Sequence, residues 1–81
     1  MTPTQTTAQD AIAAQFPTER IDPLWHGGVR VHAAKGTRNA TIYPTAEGFS
    51  VTLFIGDLYR GGADYKTPAN AARRVKAWLA A

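Results

Sequence analysis

The apolar residues of this chain change period as it is read, and each change marks an element. Ala8, Ile12 and Phe16 recur every four residues, one stripe of a helix over about 7–16. Thr6 followed by Gln9 matches a capping box at its start, and Pro17 stops it. Asp22-Pro23 then marks an irregular connection in which Ile21, Leu24 and Trp25 are expected as core anchors.

From Gly27-Gly28 onward the period falls to two. Val29, Val31 and Ala33 alternate with Arg30 and His32, and beyond a turn at Lys35-Gly36, Ala40 and Ile42 alternate with Thr41 and Tyr43. A two-residue turn sets Val31 against Ala40 and Val29 against Ile42, so the apolar residues share a face. The turn cluster Thr45-Ala46-Glu47-Gly48 sets Ile42 against Val51 and Ala40 against Leu53. A third hairpin closes at Gly56-Asp57, with Phe49, Val51, Leu53, Ile55 and Leu58 inward and Ser50, Thr52, Phe54 and Tyr59 outward. Past Tyr59, strict alternation turns Arg60 and Asp64 inward and Ala63 and Tyr65 outward. One extra residue at Gly61-Gly62, a bulge, returns Ala63 and Tyr65 to the core side; an early end to the strand is the other solution.

After Thr67-Pro68, an N-cap followed by proline at the first helical position, the period returns to that of a helix over 68–80. Ala71, Ala72, Val75, Trp78 and Leu79 fall on one arc, with Arg73, Arg74 and Lys76 outside it. Arg74, four residues before Trp78, is placed to lay its stem on the indole. The expected fold is α+β: a flexible segment 1–6, then one small domain over 7–81, α-β-β-β-β-α. Its antiparallel meander carries the C-terminal helix on one face.

Composition narrows the chemistry. Eighty-one residues make one domain, and the absence of cysteine leaves no disulfide framework and no thiolate metal site. The net charge is +3. Basic and acidic residues balance over 1–50, and the excess lies in Arg60, Lys66, Arg73, Arg74 and Lys76 against Asp57 and Asp64. With no basic and apolar leader, and no apolar run near the ~20 residues of a membrane span, a cytoplasmic setting is expected.

No reaction is legible. Ser50 sits in mid-strand without a nucleophile-elbow pattern, His26 and His32 lack a third ligand, and Gly61-Gly62 lacks the Lys and Ser/Thr spacing of a phosphate loop. Asp57 and Asp64 fall in a turn and a strand end rather than in a carboxylate pair. Neither catalysis nor a metal or other cofactor is expected.

Two surfaces remain. The outer sheet face collects Arg30, His32, Asn39, Thr41, Tyr43, Thr52, Phe54 and Tyr59. Of these, Arg30, His32, Tyr43, Phe54 and Tyr59 are the candidate partner-binding residues. The alternative is that the first helix and Ile21 to Trp25 cover this face and make its aromatics a second small core. The other surface is the basic set Arg60, Lys66, Arg73, Arg74 and Lys76, candidates for contacts to phosphate.

Phe49 to Ala72, a strand, a glycine-containing turn, a strand, then Lys66, Ala69 and Ala71-Ala72, resembles the end of a double-stranded-RNA-binding domain, a family that also begins with a helix. The resemblance covers about a third of the chain and implies phosphate contacts across a groove with little reading of sequence. Thr67-Pro68 stands where that family carries further lysines, and one strand more precedes Phe49.

The expected function is therefore that of a non-catalytic small binding protein. In size and character it is similar to the inhibitors that phages make against host defences, anti-CRISPR proteins among them, which occlude a host protein or nucleoprotein complex. The alternative is a module binding double-stranded RNA or DNA directly. Either a monomer or a homodimer fits, the latter joined through the sheet edge at Val29 to Ala33 or through the outer face.

Overall fold

Alternation at period two is realised as an antiparallel meander, and the two helical stripes both pack on its inner face. The structure is a computed structural model and describes residues 3–81. In chain order the elements are α1 (Pro3–Ala14), β1 (Arg20–Pro23), a single 3₁₀ turn (Trp25–Gly27), β2 (Val29–His32), β3 (Arg38–Pro44), β4 (Phe49–Ile55), β5 (Leu58–Tyr65) and α2 (Pro68–Ala80). The strands lie side by side in sequence order. The radius of gyration, 11.6 Å, matches the roughly 12 Å of one folded domain of this length.

The expected registers hold through three strands. Val29 opposes Ile42 and Val31 opposes Ala40; Ile42 opposes Val51 and Ala40 opposes Leu53. These residues, with Ile12, Phe16, Ala71, Ala72 and Val75, form one core, against which Ile21, Phe49, Tyr65, Trp78 and Leu79 pack partly buried. One layer of helices on one sheet suffices because each strand is apolar on one side only.

The bulge is present, one residue earlier than the glycine pair itself. Phe54 opposes Tyr59, but Leu53 opposes Gly61, so Arg60 is the extra residue. Gly61 takes up the irregularity at φ 141°, a conformation open to glycine and strained for other residues. Downstream, Ala63 opposes Val51 and Tyr65 opposes Phe49, on the core side.

Several expectations are corrected. α1 begins at Pro3, earlier than the expected start near residue 7, so Thr6 falls within its span; residues 1 and 2 lie outside the described residues. Arg20–Pro23, expected as an irregular connection, is a fifth strand paired with β2. It escapes notice because it is four residues long and ends in proline, which an edge strand tolerates since one side of its backbone has no ladder to complete. β1 also covers the Val29 to Ala33 edge, which is therefore closed to a dimer. Trp25 is 86% exposed rather than buried. Leu58 turns inward opposite Ile55 yet remains 60% exposed, and Ala63 is exposed too, because β5 is the sheet edge and α2 lies mainly over β3 and β4.

α2 starts as its residues dictate: Thr67 Oγ1 accepts the Asn70 N–H at 3.2 Å and Pro68 fills the first turn. Its far end is locked by Trp78, whose indole N–H is shared between the carbonyl oxygens of Asn39 and Phe54, each at 3.2 Å. The cation on that indole is Arg38 of β3, 4.2 Å from the ring centroid, and not Arg74. No helix among the described residues is long and apolar enough to cross a membrane.

Candidate functional site

With α1 and α2 sharing one core, the opposite sheet face carries neither helix, and the described residues do not form a second core there. The pairings arrange that face in three rows. Arg20, His32, Asn39, Phe54 and Tyr59 cross all five strands; Asp22, Arg30, Thr41, Thr52 and Gly62 form the next row; Tyr43, Ser50 and Asp64 form the third. At a strand spacing of about 4.8 Å, each of the first two rows spans roughly 19 Å. The second is of low relief toward β5, with Thr41 buried, Thr52 half-buried and the bare backbone of Gly62 at its end.

The aromatic end of this face is braced from both sides. Phe54 and Tyr59 meet edge to face, with centroids 6.4 Å apart and planes at 79°, the arrangement favoured by the ring quadrupoles. Tyr59 is 64% exposed while Phe54 is half-buried. Asn39 Nδ2 donates to the Thr37 and Gly56 carbonyls, both at 3.1 Å, and the Gly56 N–H donates to Thr37 O at 2.9 Å. The two turns at this end of the sheet are thus tied together. On the inner side, the Trp78 indole holds the carbonyl of Phe54 itself. The bulge residue that follows Tyr59, Arg60, is exposed.

The other expected partner residues lie on the same face but are differently engaged. His32 Nε2 is 2.7 Å from Asp22 Oδ2, a contact within the sheet rather than a free group. Arg30 is exposed. Tyr43 stands four residues along β3 from Asn39, about 13 Å away, so it is not part of the Phe54–Tyr59 cluster. Its ring lies across Gly28, where a Cβ would run into the edge of the Tyr43 ring. Among the described residues no three His, Asp or Glu side chains gather around a common point.

The basic set is not brought together. Arg73 and Arg74 line a shallow groove with Tyr65, Asn70 and Ala77. Lys76 lies on the other flank of α2, beside Arg20 and Leu79, its Nζ 5.6 Å from the centroid of Phe16. Arg60 is the bulge residue of β5 and lines neither group. Among the described residues the ion pairs join Arg20 and His32 to Asp22, so Arg60, Lys66, Arg73 and Arg74 are unpaired.

Trp25, expected as a core anchor, is instead an exposed aromatic. Trp25 sits at the tip of the β1–β2 hairpin in a loop held by Leu24 N–H to Gly28 O at 2.8 Å and Gly28 N–H to Trp25 O at 3.3 Å. Gln9 Nε2 donates to Leu24 O at 3.3 Å and Gly28 O at 2.9 Å, binding the loop to α1. His26 is left-handed at φ 60°, a conformation a non-glycine residue holds at a cost. The signal for this loop was local: Asp22-Pro23 before it and Gly27-Gly28 after it are turn residues, and a large apolar residue between them stands at a tip rather than on a face.

No family model, curated protein or solved structure matches the chain. The fifth strand takes the sheet further from the double-stranded-RNA-binding pattern that its C-terminal third resembles.

Proposed function

We propose that this is a non-catalytic binding protein that engages a partner protein with the sheet face that carries neither helix, through Phe54 and Tyr59. The observation that carries the reading is the Phe54–Tyr59 pair, presented on a backbone clamped by Asn39 above and Trp78 below. Aromatic and arginine side chains dominate binding energy at protein interfaces, and a rigid presentation lowers the ordering cost of association. The low-relief centre of the face suits a broad protein surface, while Arg30 and His32 provide a polar rim. Occlusion of a host protein or nucleoprotein complex, in the manner of small phage inhibitors, is the mode of action that fits so small a chain. The test is affinity capture from cells that make the protein, followed by mass spectrometry. The double variant Phe54→Ala, Tyr59→Ala should keep its far-ultraviolet circular dichroism and lose the captured partner, since two truncated anchors cost about 2 kcal/mol or more each. Undiminished capture by that variant rejects this face.

A second reading is favoured by one observation: every ionisable residue of α2 is basic, and Arg73 and Arg74 are unpaired beside Tyr65. Direct nucleic-acid binding through Lys66, Arg73 and Arg74, with Arg60 and Lys76 at more distant positions, predicts affinity that falls steeply with salt, with a slope that flattens by about one unit per lost phosphate contact. A gel-shift series with duplex DNA and RNA at two salt concentrations decides it, and no shift at low salt rejects it.

A further inference from the structure

We infer that the last part of β5, residues 61–65, receives an extended acidic segment of a partner protein as a sixth strand, with alternate carboxylates turned to Arg73 and Arg74 of α2. This surface is separate from the Phe54–Tyr59 cluster, and the inference does not rest on it. β5 is an edge of the sheet, so every second residue directs its backbone N–H and C=O away from β4, with no strand among the described residues to meet them. Beyond the bulge, residues 61–65 pair one to one with 49–53, a regular stretch of ordinary strand length. It holds no proline and no lysine. The opposite edge is blunted: β1 has four residues and ends in Pro23.

The chemistry of the added strand follows from what flanks this edge. Ala63 and Tyr65 lie on the core side, but α2 sits mainly over β3 and β4, so Ala63 is exposed and Tyr65 only half-buried. Between Tyr65 and the flank of α2 runs the groove lined by Asn70, Arg73, Arg74 and Ala77, one face of the helix. Arg73 and Arg74 are exposed, with no acidic partner among the described residues. A strand added to β5 turns every second side chain to this side of the sheet. Acidic residues there face two guanidinium groups, whose forked N–H donors match a carboxylate. The side chains between them turn to the outer side, where Asp64 stands, and like charges opposed across strands are unfavourable. The segment therefore carries Asp or Glu at alternate positions, in the phase that faces α2, with neutral residues between. A nucleic acid neutralises the arginines equally well but has no main-chain N–H and C=O groups to complete the edge, and this favours a peptide.

Selection from a random dodecapeptide display library on the immobilised full chain tests this. The wild type should enrich peptides with Asp or Glu at every second position. A synthetic peptide of the enriched sequence, measured by fluorescence anisotropy, should bind the double variant Arg73→Glu, Arg74→Glu roughly tenfold more weakly or worse, with circular dichroism as the folding control. Replacing its acids by lysine should transfer binding to that variant. The Phe54→Ala, Tyr59→Ala variant should bind it as the wild type does. The bound peptide should slow amide exchange within residues 61–65. N-methylation of its alternate residues should abolish binding in one phase and be tolerated in the other, because only one phase faces β5. A selection without acidic enrichment at period two overturns the inference. So does an enriched peptide indifferent to the arginine changes, indifferent to N-methylation in both phases, or lost with Phe54 and Tyr59. A short DNA or RNA duplex that binds through Arg73 and Arg74 while no acidic peptide is selected overturns it in favour of nucleic acid.

Discussion

The two tryptophans have opposite roles, and their replacement measures the difference. Trp78 packs partly buried against the core, donates its indole N–H to two strand carbonyls and lies under the Arg38 guanidinium. Trp78→Ala removes all three contributions. Full burial would put the cost at about 3–5 kcal/mol; partial burial brings it to about 2–4 kcal/mol. Trp78→Phe keeps most of the ring contact and loses the N–H, and should cost about 1–1.5 kcal/mol. Trp25→Ala removes a side chain that is 86% exposed and should change stability by no more than about 0.5 kcal/mol. An 81-residue domain has roughly 4–12 kcal/mol in total, so the first variant approaches the limit of folding and the last is silent. Urea denaturation followed by circular dichroism reads all three, with a slope of about 1–3 kcal/mol per molar. A Trp25→Ala variant as unstable as Trp78→Ala would refute the reasoning, and so would a Trp78→Phe variant with no loss.

Gly28→Ala should cost about 1–3 kcal/mol in urea, because the new methyl meets the Tyr43 ring. In a Tyr43→Ala background the same change should cost clearly less, and an additive pair would show that the ring is not the obstacle. Thr67→Ala should destabilise by about 1 kcal/mol through loss of the cap to Asn70, and Thr67→Ser should recover most of it. Gln9→Ala should leave the global unfolding transition nearly in place while speeding amide exchange of Leu24 and Gly28, the residues whose loop its side chain spans.

The antiparallel meander, its three internal registers, the bulge and the cap of α2 were all legible in the sequence, because each depends on local chemistry. Period-two alternation can satisfy a half-buried sheet in only one register, since a slip by one residue exposes the core. The phase conflict at Gly61-Gly62 left two solutions, an extra residue or an early strand end, and the structure takes the extra residue. What tertiary structure alone decided is which apolar residues find a cover. Trp25, Leu58 and Ala63 are apolar in sequence, but the first stands at a loop tip and the other two on an edge strand that α2 only partly covers, so they stay in water. Gln9 and Arg38 likewise took tertiary roles, bracing the Trp25 loop and stacking on Trp78, that no spacing announces. The candidate site follows the same division: alternation placed Phe54 and Tyr59 on the outer face, but that face is open only because both helices chose the other one.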